Sequence, residues 1–235
     1  MGEERRLAEA RIVAVATALA SVREHLVFIG GTVLPLVVDV DGRFYSPRMT
    51  DDVDAVGVAV NYTESAKVEA AVAKAGFTLN MDAKHKGSWR TSQGETFDLS
   101  FAGDFSGASG AHVDTIAIET AQPMDGHPAI RHVSATGLFL MKCAAYQDRG
   151  TDKPFESKDL ADIAVLAVAG DLEADVATRA SDIRTEVRAR AGTLLNDPGM
   201  LSTLTSHFAD RRPIPPDTAE ELAAEALTIL GRLAG

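Results

Sequence analysis

The chain has 235 residues, 46% of them hydrophobic and 24% charged, which is the make-up of an ordinary folded protein with a sizeable core and excludes long disorder. A net charge of -11 argues against non-specific nucleic-acid binding, because neutralising phosphates needs a surplus of Lys and Arg. The single cysteine, Cys143, excludes an intrachain disulfide; it lies in an apolar run and reads as a small buried hydrophobe in a reducing compartment.

Residues 4–23 read as an amphipathic helix, with Leu7, Ile12, Val15 and Leu19 at helical spacing. The interspersed Glu3, Glu4, Glu9 and Arg11 set this segment apart from a signal peptide, and Arg6 breaks a myristoylation signal. No apolar stretch is long enough to span a bilayer, so no membrane association is expected and the location expected is cytoplasmic. Leu26–Ile29 reads as a short buried strand stopped by Gly30-Gly31, with Thr32 as cap of a helix through Val38 and Pro35 in its first turn. Residues 39–47 are loop, with turn signals at Asp41-Gly42 and Ser46-Pro47.

Asp52–Val60 is apolar apart from its acids and should be a central strand. Thr63–Ala75 is a helix closed by Gly76. Phe77–Met81 is a short strand, and Ser88–Thr91 with Thr96–Phe101 form a hairpin whose core holds Trp89. Gly103–Gly110 is a loop and Thr115–Thr120 a further strand. After Pro128 the pattern becomes helical: Ser134–Gln147, Lys158–Val168, Asp171–Ala191, Met200–Ala209 and Thr218–Leu233. The expected class is α+β, a mixed sheet with flanking helices over residues 1–130 followed by a helical half over 131–235.

The chemistry concentrates at Arg48-Met49-Thr50-Asp51-Asp52-Val53-Asp54. Residues two apart on a strand share a face, so Asp52 and Asp54 project together. Two carboxylates that close repel unless a cation lies between them, and Mg²⁺ combines a few carboxylates with substrate phosphates. The same residues also fit a solvated strand end. Asp98, between Phe97 and Leu99, shares its face with Thr96 and Ser100; if its strand lies beside 52–60, three carboxylates converge. Gly30-Gly31-Thr32 follows a strand and lets backbone amides approach a phosphate, yet it matches neither a P-loop nor a dinucleotide fingerprint. The histidines (25, 85, 112, 127, 132 and 207) lack metal-ligand spacing and read as structural or surface groups. Lys84-His85-Lys86 reads as a solvated loop.

Taken in order, Gly30-Gly31-Thr32, then Arg48, Thr50, Asp52 and Asp54, then Asp98 resemble the nucleotidyltransferase superfamily that includes DNA polymerase beta. Lys142-x-x-Ala145-x-x-x-Arg149 and Lys158-Asp159-x-x-Asp162 extend the resemblance to the AbiEii-type nucleotidyltransferase toxins of bacterial toxin–antitoxin systems, over about residues 25–170. The loop from Thr32 to Asp51 is longer than the family's, with the extra residues around 39–46, and residues 171–235 carry no assignable motif.

The resemblance implies NMP transfer from an NTP to an acceptor. Asp52, Asp54 and Asp98 would hold Mg²⁺ (or Mn²⁺), with Asp98 a further ligand or the base for the acceptor hydroxyl. Gly30, Gly31, Thr32, Arg48 and Thr50 would serve the nucleotide, and Lys142 and Arg149 the departing pyrophosphate. Lys142 and Arg149, seven apart, share one helix face. Asp159 and Asp162 would orient Lys142 or Lys158, or contact the base or ribose. The acceptor is RNA or protein for a toxin with an antitoxin partner. A small cationic molecule, as for aminoglycoside nucleotidyltransferases, or nucleotide binding without turnover are the alternatives.

Overall fold

The computed structural model describes residues 2–39, 50, 52–59, 61–83, 87–91, 94–102, 111–210 and 216–235. Arg48, the loop after Asp39, Lys84-His85-Lys86 and the Gly103–Gly110 segment lie outside them. The class is α+β. The chain divides into two compact units: residues 3–33 with 49–134, and residues 34–48 with 135–235.

The first unit is built on a seven-stranded sheet in the order β3-β4-β5-β2-β1-β7-β6. The strands are β1 (Leu26–Ile29), β2 (Asp52–Gly57), β3 (Thr78–Leu79), β4 (Ser88–Arg90), β5 (Thr96–Phe101), β6 (Gln122–Met124) and β7 (His127–His132). β2 holds the centre, antiparallel to β1 and parallel to β5. Its residues alternate as expected: Val53 and Ala55 are buried, as are Phe97 and Leu99 beside them, while Asp52, Asp54 and Asp98 take the other, half-buried face. Trp89 is buried opposite Phe97 in the β4–β5 hairpin, and Phe77 meets Phe97 edge-on at 5.6 Å between ring centroids.

Helix α1 (Glu3–Ala18) buries Ala8, Ile12, Val15 and Ala16 and packs on β2. Leu7, placed on the buried face by spacing, is 46% exposed, and the smaller Ala8 takes the inward position. Helix α3 (Tyr62–Lys74) starts where the Asn61 side chain accepts the Glu64 amide, and Gly76 follows its end at φ +92°. The expected strand at 115–120 is instead α4 (Ala111–Glu119). A run of β-branched residues favours a strand locally, but Val113, Ile116 and Ala117 face inward at the i, i+3, i+4 spacing of a helix, and α4 packs on β1 and β2.

The β6–β7 hairpin was not expected from the sequence. Pro123 and Pro128 argue against strands, yet β6 is an edge and Pro128 precedes the β7 residue that meets β1, so neither proline removes a needed donor. Asp125-Gly126, with Gly126 at φ +72°, is the turn signal that was available.

In the second unit, α6 (Lys158–Ala169) is buried from Asp159 through Val168 and packs against α5 (Ala135–Arg149), α9 (Met200–Ala209), α10 (Pro216–Ala234) and the short α2 (Leu34–Val37). A helix buried on all sides forms the core of its bundle. The single helix expected over 171–191 is two, α7 (Leu172–Ala177) and α8 (Ser181–Leu195). The break lets Asp175 accept both the amide and the hydroxyl of Thr136 at 2.8 and 2.6 Å, capping the start of α5. Asp182, whose carboxylate accepts the Ile183 amide, marks the new start.

Burial pushes the Asp114 carboxyl on α4 from 3.8 up to about 6, partly offset by its hydrogen bond with Ser100. A carboxyl with a raised folded pKa stabilises the fold fully below its unfolded value and loses that contribution as pH rises through the folded one. Asp114→Asn is therefore expected to gain thermal stability over the wild type progressively between pH 4 and 6, with a constant gain above. Melting curves across that range check this; an equal effect at all pH values contradicts it.

Candidate active site

The site forms at the start of β2. Parallel pairing sets Asp54 directly beside Asp98 and Asp52 beside Thr96. Strands lie about 4.8 Å apart, so in-register carboxylates on one face are forced together. Carboxylate oxygens of Asp52, Asp54 and Asp98 all lie within 4.8 Å of one another, each residue half-buried. Three negative charges at that spacing repel strongly, and an all-oxygen donor set of this size suits a hard divalent cation. With metal–oxygen distances of about 2.1 Å, a cation spans oxygens up to about 4.2 Å apart, so small rotamer movements suffice to close the set.

The Gly-Gly turn after β1 is shaped by these acids. Ile29 pairs with Asp54 across the β1–β2 ladder, which brings Gly30 over the Asp54 side chain. A Cβ at Gly30 would fall on the Asp54 carboxylate, 2.8 Å from its Cγ, and Gly30 also holds φ +76°. A Cβ at Gly31 would collide with the Thr50 methyl. Gly30 is thus required both by the Asp54 side chain and by its positive φ, and Gly31 by the close approach of Thr50.

Thr32 does not cap α2. Its hydroxyl donates to the Asp52 carbonyl at 2.6 Å and lies 2.8 Å from the Thr50 hydroxyl, which is itself 3.2 Å from that carbonyl. Thr32 and Thr50 are buried, so this small network fixes the entry of β2. The Thr50 carbonyl accepts from the Arg11 guanidinium of α1, and Arg11 reaches Glu95 at 3.5 Å. Neither Arg11 nor Glu95 reads as a site residue from the sequence: Arg11 stands 39 positions from Thr50 and 84 from Glu95, and no local pattern links them.

Within the second unit, four of the sequence-predicted residues come together. The buried Lys142 ammonium lies 3.2 Å from Asp159 and 2.8 Å from Asp162, and Arg149 holds the second Asp159 oxygen at 2.9 Å. Burial alone would lower the Lys142 pKa, but the charges of Asp162 and Asp159 outweigh it and hold Lys142 above its usual value. Arg149 keeps 68% of its side chain exposed. Lys158 is exposed at the first turn of α6, where Ser157 caps the helix through the Leu160 amide.

With this geometry in place, residues 12–232 match the family described as nucleotidyl transferase AbiEii toxin, type IV TA system. The chain belongs to that family. It is an AbiEii nucleotidyltransferase, and the toxin–antitoxin class comes with the family. A solved structure that it resembles is the crystal structure of an antigenic nucleotidyltransferase-like protein from Paracoccidioides brasiliensis, at 17% identity and a TM-score of 0.46, covering 83% of this chain and 92% of that one. No curated protein matches.

In this AbiEii chain the sequence-predicted residues fall into two groups. Gly30, Gly31, Thr32, Thr50, Asp52, Asp54 and Asp98 meet around the start of β2. Lys142, Arg149, Asp159 and Asp162 meet between α5 and α6. Asp52, Asp54 and Asp98 form the only cluster of potential metal ligands among the described residues. No helix among those residues is long and apolar enough to cross a membrane.

Gly30→Ala is expected to give a folded protein with displaced Asp54 and little transferase activity, measured by circular dichroism alongside label transfer from an NTP; wild-type activity contradicts the steric account. Lys142→Met leaves Asp159 and Asp162 buried without their ammonium partner and is expected to cost about 3–5 kcal/mol of stability. Chemical denaturation reads that cost, and a loss below 1 kcal/mol would show that the network matters little.

Proposed function

We propose that the chain transfers a nucleoside monophosphate from an NTP to an acceptor at Asp52, Asp54 and Asp98, and that it does so as the toxin of a toxin–antitoxin system. The observation that carries this reading is the in-register placement of Asp54 beside Asp98, with Asp52 on the same face. Mg²⁺ (or Mn²⁺) bound there would draw the NTP phosphates to the site and neutralise charge that develops during transfer.

The chain's own groups then have distinct tasks. Asp52 and Asp54 hold the cation. Asp98 adds a ligand or takes the proton from the acceptor hydroxyl as its oxygen bonds to the α-phosphorus and pyrophosphate leaves. The Gly30-Gly31 turn offers backbone amides to the phosphates, and the missing side chains of its glycines leave room for Asp54 and Thr50. Thr32 and Thr50 act through the backbone of Asp52, since their hydroxyls are already engaged there. Arg149 is the exposed end of a buried charge network and suits bidentate contact with phosphate, while Lys142 supports it through Asp159. Arg48 and Lys158 complete the nucleotide contacts proposed from the family's motifs.

RNA or protein is the acceptor proposed for a cytoplasmic toxin, with an antitoxin as its partner. The net charge of -11 favours a small cationic acceptor as the second reading, because an acidic surface attracts one and repels an RNA backbone. Incubation of the protein with each labelled NTP, Mg²⁺ and total RNA, cell protein or an aminoglycoside separates these acceptors by where the label goes. Asp52→Asn and Asp54→Asn are each expected to lower transfer by about 1000-fold or more while leaving the fold intact. NTP binding without transfer to any acceptor would instead identify a nucleotide-binding protein.

A further inference from the structure

Arg11 belongs to none of the motifs that define the site, yet it touches the residues that lead into both strands that carry it. From α1 its guanidinium donates to the Thr50 carbonyl, two residues before Asp52. Its Nε faces Glu95 at 3.5 Å, and Glu95 immediately precedes Thr96, the residue paired with Asp52 across the β2–β5 ladder. One planar group thus ties together the entries of the two strands whose register places Asp54 beside Asp98.

The surrounding contacts make this a defined position. Ile12 and Val15 are buried and hold α1 against the sheet. The Glu95 amide donates to the Thr91 hydroxyl at 3.1 Å, fixing Glu95 at the end of its hairpin. On the other side, Thr50 passes the constraint to Asp52 through the Thr32 hydroxyl. The arginine fork can satisfy two divergent oxygens at once, which the single point charge of lysine does less well. The Arg11 and Glu95 side chains keep 21% and 35% of their surface exposed, and ion pairs with such access to water add little to stability. The effect of this contact therefore falls on geometry.

We propose that Arg11, with Glu95, is a positioning residue that sets the spacing of Asp52, Asp54 and Asp98 for a divalent cation. This rests on the reading of those three carboxylates as a cation site. Removing a group that orients metal ligands weakens metal binding by about 10-fold or more. Arg5 provides a control from the same helix, because it pairs with Glu9 and Asp125, away from the strand entries.

The test is titration of the full chain with Mn²⁺, followed by the electron paramagnetic resonance signal of the free ion, with a thermal melt of each variant in the absence of metal. Arg11→Ala is expected to weaken Mn²⁺ binding about 10-fold and Glu95→Ala several-fold. Arg5→Ala should bind as the wild type does, and all three should melt within about 4 °C of it. Arg11→Lys should recover part of the loss. Wild-type binding by both Arg11→Ala and Glu95→Ala, or an equal loss in Arg5→Ala, overturns the positioning role alone. Wild-type binding by Asp54→Asn overturns the cation site and the positioning role with it. Should Arg11→Ala fail to fold, Glu95→Ala and Arg11→Lys carry the same comparison.

Discussion

The repulsion among Asp52, Asp54 and Asp98 is the constraint around which the first unit is arranged. Parallel register between β2 and β5 forces the three carboxylates to within 4.8 Å, a spacing that is unfavourable without a cation. Everything that fixes the register also fixes the repulsion. The buried faces of Val53, Ala55, Phe97 and Leu99 prevent a one-residue slip, because such a slip would turn the acids into the core. The glycines of the adjoining turn, the two threonines and Arg11 then close around the strand starts. Stability of the sheet is thus coupled to a strained charge arrangement, as at many functional sites.

The second unit solves a related problem in the opposite way. α6 is buried from Asp159 to Val168, and so takes two carboxylates, Asp159 and Asp162, into the core of the bundle. There the charges are matched within the protein: Lys142 lies against both acids and Arg149 continues the chain of contacts to the surface. A buried network of this kind adds less to stability than its charges suggest, and it is costly to break. What it supplies is a fixed orientation for the exposed Arg149 guanidinium.

Much of this could be read from the residues. β1, the β4–β5 hairpin, α6 and α9 follow from runs of apolar residues and their punctuation, and Asp98 stood out because an acid between Phe97 and Leu99 is unusual in a strand. The convergence of Asp98 with Asp52 and Asp54 depended on strand order, which local pattern does not reveal. Tertiary packing turned Thr115-Ile116-Ala117-Ile118 into helix against its β propensity, and Pro123 in the edge strand β6 and Pro128 near the start of β7 hid those two strands. The spacing of Lys142 and Arg149 showed a shared face but not that Lys142 would be buried among acids, since that depends on how deeply α6 is enclosed. Arg11 was illegible because its partners lie far along the chain.

The proposed function depends on Asp52, Asp54 and Asp98 together holding a divalent cation that engages the NTP. Crystals grown with Mn²⁺ and a non-hydrolysable NTP analogue, with anomalous diffraction recorded at a wavelength sensitive to manganese, test it most directly. An anomalous peak is expected at about 2.1 Å from oxygens of Asp52 and Asp54, with Asp98 adjoining and the analogue's phosphates completing the ligand set. A bound analogue with manganese elsewhere, or with none at these carboxylates, would contradict it.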